Sequence, residues 1–211
     1  MRLLIITAVQ AEADAIGEID DALIVAGGIG RTNAAAATTQ AIIESGPFDA
    51  VISAGVAGAL PESNLTIGDI VVATACIYAE EGLLTPEGFQ DMAGLGFALG
   101  DFPGNEVPVD GPLLRIFRNI FRAGPIATVA TCSGTDAAAA EVARRTGALV
   151  EAMEGAAVVH AARRLGLPGI EIRAVSNTTG DRADQAWDLA RGLSALGEAV
   201  RTIAGLLRGE V

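Results

Sequence analysis

The sequence predicts an α/β fold in which a largely parallel or mixed sheet carries helices on both faces. Three observations lead there. Apolar runs of strand length recur without polar alternation, as expected when both faces of a strand are buried. Ala-rich stretches of helical length separate those runs. Two of the runs end in clustered glycines, which turn the chain out of a strand. The 211 residues are 51% hydrophobic with a mean hydropathy of +0.44, enough for one domain over 1–211 with a sizeable core, and too few for two comfortable ones. Aromatic residues are only 4%, so that core is built from Ala, Val, Ile and Leu.

Residues 3–8 form the first apolar run. Gln10, Glu12 and Asp14 follow at once with no suitably placed small-residue cleavage site, so a buried strand is preferred to a signal peptide. Residues 22–26 give the second strand and lead into Gly27-Gly28-Ile29-Gly30, and residues 32–44 read as a helix. Residues 50–53 give the third strand, expected to end in a turn at Gly55-Val56-Ala57-Gly58, and residues 68–72 open the fourth. Residues 125–131 and 148–153 are strand-like. The helix between them opens with Ser133-Gly134-Thr135-Asp136, where a hydroxyl and an acid can cap free amides. Residues 154–165 are helical, and residues 169–176 form the last strand. Residues 185–207 carry a stripe of Leu189, Leu193, Leu196, Val200, Ile203 and Leu207, too short for a coiled coil and read as a helix packed on the sheet. Residues 79–111, with Phe89, Met92, Phe97 and Phe102, are rich in Gly and Pro. They are expected to form an irregular insert that is functional or mobile.

Composition narrows the function. A formal charge of −12 repels phosphate backbones and anionic lipid, which argues against nucleic acid and membrane partners. All 14 basic residues are Arg; without Lys there is neither a Schiff base nor a Walker P-loop. His160 stands alone, which excludes a multi-histidine metal site, and no cofactor is implied. Cys76 and Cys132 lack CxxC spacing and read as reduced, buried residues of a cytoplasmic protein. No apolar run reaches the ~20 residues of a membrane span.

The candidate chemistry lies at strand ends, where open α/β sheets bind ligands. Gly28-Ile29-Gly30 suggests a dinucleotide turn, but the third glycine position is Asn33, and the acid expected at the end of the next strand is missing. Gly55 lets a ligand lie against backbone. Glu12 follows the first strand, and Met153-Glu154 sits where a strand meets a helix. Two carboxylates over a sugar are what glycosyl transfer to water requires, one activating water and the other gripping hydroxyls of a ring that gains positive charge. Asn177 ends the last strand with an amide able to donate and accept at a heterocycle edge, and Asp181 in the same loop is a possible acid. Ser133 is a cap first and a ligand contact second. His160, with no paired nucleophile, is structural.

The stretches AVQAEAD, GGIGRTNAA, SAGVAGAL, IGDIVVA, SGTDA, EAMEGAAV and RAVSNTTGDRADQAW occur in an order that resembles the nucleoside phosphorylase/nucleosidase superfamily along nearly the whole chain. The resemblance is closest to the methylthioadenosine/adenosylhomocysteine nucleosidases and the futalosine hydrolases. YAEEGLLTPEGFQDMAGLGF, EAMEGAAVVHAA and VSNTTGDRADQAW point to the latter. It implies a three-layer α/β/α fold with a mixed central sheet, and a homo-oligomer, dimer or tetramer. It implies a small-molecule nucleoside substrate, futalosine, cleaved to hypoxanthine and dehypoxanthine futalosine on a route to menaquinone. It assigns water activation to Glu12, the ribose to Met153 and Glu154, and the purine to Asn177, where adenine-specific members carry Asp. The phosphorylases' Arg before the SAG-like turn is missing from residues 49–53, which favours water as acceptor. Arg31, Arg173 and Arg182 are the candidates for the substrate's aryl carboxylate, and Phe89 with the rest of the insert for its apolar part. Two alternatives stay open: a methylthioadenosine/adenosylhomocysteine or aminodeoxyfutalosine nucleosidase, and a non-catalytic nucleoside- or NAD-binding protein.

Overall fold

The computed structural model describes residues 1–209. In chain order the elements are β1 (Leu3–Thr7), α1 (Gln10–Ile16), β2 (Ala22–Ala26), α2 (Arg31–Ser45), β3 (Ala50–Ala59), β4 (Ile70–Tyr78), β5 (Gly82–Thr85), β6 (Gly88–Asp91), β7 (Glu106–Pro108), α3 (Gly111–Phe117), β8 (Arg122–Thr128), α4 (Asp136–Thr146), β9 (Val150–Ala152), α5 (Gly155–Arg164), β10 (Gly169–Thr178) and α6 (Leu189–Arg208). The central sheet runs β2-β1-β3-β10-β4-β8-β9, with β7 on β4. It is mixed: β10 is parallel to β3 and antiparallel to β4, and β9 is parallel to β8. The short β9 also pairs antiparallel with the end of β3, so β3, β10, β4, β8 and β9 close into a ring.

The pleat sorts side chains to the two faces. Leu4 and Ile6 of β1 point into one core, with Val51 and with Ala34, Ala41, Val158 and Ala162 of α2 and α5. Leu3 and Ile5 point into the other, with Ile52, Ile16 of α1, Phe117 of α3, and Leu196, Val200 and Ile203 of α6. Helices thus cover both faces, giving the three-layer architecture. Burying each of these Leu, Ile and Val side chains contributes about 1.5–3 kcal/mol. A one-residue slip of β1 would swap its two faces.

Several expectations need correction. The Gly55–Gly58 stretch is no turn: β3 runs through it to Ala59. The 79–111 insert is not structureless. β5 and β6 form a hairpin, β7 pairs with β4, and Phe102 is buried in the core. Cys76 is buried as expected, but Cys132 is exposed. α3 went unpredicted because its seven residues are too short to show a helical period. α6 begins at Leu189, beyond the predicted start, and that leucine is exposed; Leu196, Val200, Ile203 and Leu207 of its stripe pack inward as expected, while Leu193 is half-buried outside the core. Among the described residues no helix is long and apolar enough to cross a membrane.

Candidate active site

Glu12 is the third residue of α1, and its carboxylate accepts the backbone N–H of Ala8 (2.9 Å) and Val9 (3.2 Å) through Oε2. Oε1 accepts the N–H of Val56, in the middle of β3, at 2.8 Å. The residue is therefore a helix-start carboxylate and a buried site group at once. Three of its roughly four acceptor positions are filled, leaving about one for a water.

Glu154, the N-cap residue of α5, is brought to the same place by β9. Its Oε1 accepts the N–H of Gly30, at 3.0 Å, from the Gly-rich turn after β2. Its Oε2 accepts the N–H of Met153 at 3.3 Å and meets Arg173 Nη2 at 3.3 Å. Here too about one acceptor position stays open. That amide of Gly30 is what survives of the dinucleotide-like turn: it holds a carboxylate of the protein.

Arg173 of β10 pairs with Glu154 and lies near Glu12. It is 1% exposed; Nε donates to Glu171 Oε1 at 2.8 Å, Nη2 donates to Ser53 Oγ at 3.3 Å, and Nη1 points to the Val56 carbonyl at 3.5 Å. Burial alone opposes its charge. Glu171, then Glu154 and Glu12, outweigh burial and hold the guanidinium well above its ordinary pKa. This position removes Arg173 from the candidates for a substrate tail and makes it the centre of the carboxylate cluster. The sequence carried the signal as opposite charges two residues apart, hence on one face, inside a buried apolar strand. Gly55 is required here. A Cβ on it would collide with Arg173 Nη1 and come within 2.7 Å of Glu12 Oε1.

Asn177 follows a β-bulge at which the β10–β3 register shifts between Val175 and Asn177. Bulges of this kind re-aim side chains beside active sites. Its Oδ1 accepts the Ser176 hydroxyl at 2.9 Å, and Nδ2 donates to the Thr178 carbonyl at 2.9 Å. One amide hydrogen is left to donate elsewhere. Trp187 pairs with Asn177 across the loop, is 51% exposed, and has Arg182 stacked on its ring at 4.6 Å.

The remaining candidates lie as follows. Ser133 is buried and gives both its N–H and its hydroxyl to Glu151, at 2.7 and 2.6 Å. The cap of α4 is Thr135, whose Oγ1 accepts the Ala138 N–H at 3.1 Å. Asp181 is exposed and exchanges backbone N–H bonds of 3.0 Å with Asp136 at the start of α4. Phe89 on the hairpin lies under the Arg145 guanidinium, 4.6 Å from its ring centroid, and lines a cavity of about 680 Å³ with Tyr78 and Arg144. Arg31 is paired with Glu80 and Glu81. His160 meets the Tyr78 hydroxyl at 3.3 Å and packs edge-on to Phe102, the structural role expected of it.

In this mixed sheet Glu12 and Glu154 come to the strand ends beside one buried arginine, and the chain belongs to the phosphorylase superfamily, whose family model matches residues 15–209. Within it the chain falls among the futalosine hydrolases. It is 36% identical to the futalosine hydrolase of Streptomyces coelicolor, covering 98% of this chain and 97% of that protein. It is 35% identical to that of Thermus thermophilus, covering 83% and 78%. The 5'-methylthioadenosine/S-adenosylhomocysteine nucleosidase of Colwellia psychrerythraea is 28% identical, covering 92% and 84%. The solved structure of a Colwellia psychrerythraea nucleosidase of that type in complex with adenine shares the fold with a TM-score of 0.79 and 24% identity, covering 100% of this chain and 97% of that one.

Proposed function

We infer that the chain hydrolyses the N-glycosidic bond of futalosine to hypoxanthine and dehypoxanthine futalosine, a step on a route to menaquinone. The observation that carries the chemistry is the pair of buried carboxylates, Glu12 and Glu154, each held by three protein contacts and each with an acceptor position left. Glu12 takes a proton from the attacking water. Glu154, with Met153 beside it, binds the ribose hydroxyls and stabilises the oxocarbenium-like ring. The spare Asn177 amide hydrogen donates to O6 or N7 of the departing 6-oxopurine; a buried acceptor left unpaired there costs about 1–3 kcal/mol, which supports selection of this base. Asp181 is the alternative acid for the leaving base. The Phe89 side of the insert is the proposed apolar wall for the aryl tail, with Arg31 or Arg182 for its carboxylate. Water is the acceptor because the one guanidinium at the centre already faces three carboxylates, which would repel a phosphate.

The chain works as a homo-oligomer in this reading. Leu83 and Leu84 of the hairpin and Phe97 beyond it are 49%, 80% and 65% exposed, apolar surface suited to a second copy. Sedimentation velocity is expected to give a dimer or tetramer. Futalosine, aminodeoxyfutalosine, methylthioadenosine and inosine, assayed side by side with and without phosphate, test the substrate. Phosphate-independent release of hypoxanthine from futalosine, faster than base release from the 6-amino substrates, is expected. Preference for a 6-amino substrate, or dependence on phosphate, would refute the assignment.

A further inference from the structure

Glu171 takes no part in the chemistry above, yet it is the most enclosed acid of the site. It is 0% exposed and sits on β10 two residues before Arg173, on the same strand face. One oxygen accepts Arg173 Nε at 2.8 Å; the other, Oε2, is buried without a hydrogen-bond partner. Its carboxyl fills the space where a Cβ of Gly155 would stand, so it lies directly under the first residue of α5, next to Glu154. Gly155 is glycine because Glu171 is there.

A buried carboxylate with an unsatisfied oxygen is costly, and a role in neutralising Arg173 alone does not explain it. Glu12 and Glu154 already flank that guanidinium, and the third acid leaves the cluster with three carboxylates around one cation. We propose that Glu171 is a positioning residue for hydrolysis: it clamps Arg173 through Nε, so that Nη2 reaches Glu154 and Nη1 lies beside Glu12, and it competes for the arginine's charge. The two catalytic acids are thereby left only partly neutralised. The charge of Glu12 is left to draw the proton of the attacking water, and the ring that becomes positive faces net negative charge. The charged and titratable groups around this centre are Arg173 and Glu171 on β10, Glu12 on α1, Glu154 at the start of α5 and Cys76 on β4. The thiol of Cys76 is raised well above its ordinary pKa by burial, then by Glu171.

The inference rests on the proposed futalosine hydrolysis, and the test separates the two. Wild type must first release hypoxanthine from futalosine; if it does not, the functional reading fails whatever Glu171 does. Given that activity, pH profiles of kcat/KM are measured for wild type, Glu171→Gln and Glu171→Asp, per folded enzyme. Glu171→Gln keeps the shape and an acceptor for Nε but loses the charge, so Arg173 neutralises Glu12 and Glu154 more fully. The expected result is a loss of about tenfold or more at the plateau, with kcat falling more than KM changes. The acid limb should also move to lower pH by about half a unit or more. Glu171→Asp keeps the charge and shortens the reach, so the limb should stay at its wild-type position while the plateau drops. A purely structural role would lower thermal stability alike in both variants and leave plateau and limb unmoved, which would overturn the proposal. If the Gln variant does not fold, Glu171→Asp decides alone: a wild-type plateau, or a displaced limb, overturns it.

Discussion

Glu12 meets two demands with one side chain. As the third residue of α1 its carboxylate takes up the free N–H of Val9, which is ordinary helix-start chemistry. The contact to Val56 on β3 then turns it across the sheet into the site. Glu12→Gln retains the size but removes the proposed base, and its amide must turn a donor toward backbone N–H groups. Turnover is expected to fall by roughly 10²-fold or more with substrate affinity largely kept; near wild-type turnover in a steady-state assay would take Glu12 out of the mechanism. Asn177 is fixed by its neighbours in a comparable way. Ser176 donates to its oxygen, so the amide nitrogen faces Thr178 and the space beyond. In Asn177→Asp a carboxylate would face both the Thr178 carbonyl and the O6/N7 acceptors of hypoxanthine. Futalosine cleavage should drop, and the ratio of specificity constants should shift toward aminodeoxyfutalosine. An unchanged ratio would mean that residue 177 does not read the base.

At the scale of elements, strands are legible as unbroken apolar runs: β1, buried on both faces, and β2, a half-buried edge strand, both lie within a residue or so of their expected bounds. From the sequence β3 ends early, because glycines usually break strands. Here Gly55 stays in the strand since the side chains of Arg173 and Glu12 both need the room of its missing Cβ, a long-range cause that no local pattern shows. Glu12, Glu154 and Asn177 could be picked out as strand-end polar residues. Arg173 reads from the sequence as a candidate for the substrate's aryl carboxylate and Glu151 carries no role there, because Glu154, Ser53 and Ser133, which fix them, lie on other elements. Glu171 pairs with Arg173 on its own strand, and its place under Gly155 is the long-range part. Glu151 shows how such a group ties elements together, linking β9 to the loop before α4 through Ser133. Burial raises its carboxyl above the ordinary range, although the Ser133 bonds oppose the shift. With a folded pKa above the unfolded one, the native state keeps its proton longer. Its stabilising share is therefore full below the unfolded pKa and fades as pH rises through the folded value. Glu151→Gln removes this titration and leaves an amide oxygen for the Ser133 N–H. The difference in Tm, variant minus wild type, should become more positive from about pH 4 to about pH 7. Parallel thermal melts that keep a constant difference would show that Glu151 titrates alike in both states.

The whole molecule sets a field that the site must work against. The chain carries −12 with no lysine, and its central arginine is spent on three carboxylates. The proposed substrate is itself an anion through its aryl carboxylate, so its approach is opposed by the net charge even if one exposed guanidinium receives it at the end. Raising ionic strength from roughly 0.01 to 0.15 M shortens the screening length from about 30 to about 8 Å. That is enough to mute the distant acids and too little to dissolve a direct ion pair in the site. kcat/KM for futalosine should therefore rise by about twofold or more over this range, through KM and not kcat. Inosine has the same base and ribose with no charged tail, and its kcat/KM should stay flat. Steady-state kinetics on both substrates across the salt series decides between two pictures. A fall for futalosine would mean that attraction to a local arginine, such as Arg31 or Arg182, outweighs the overall field. A rise with flat inosine would mean that this acidic enzyme binds an acidic substrate in spite of its charge, by contacts made only once the substrate has arrived.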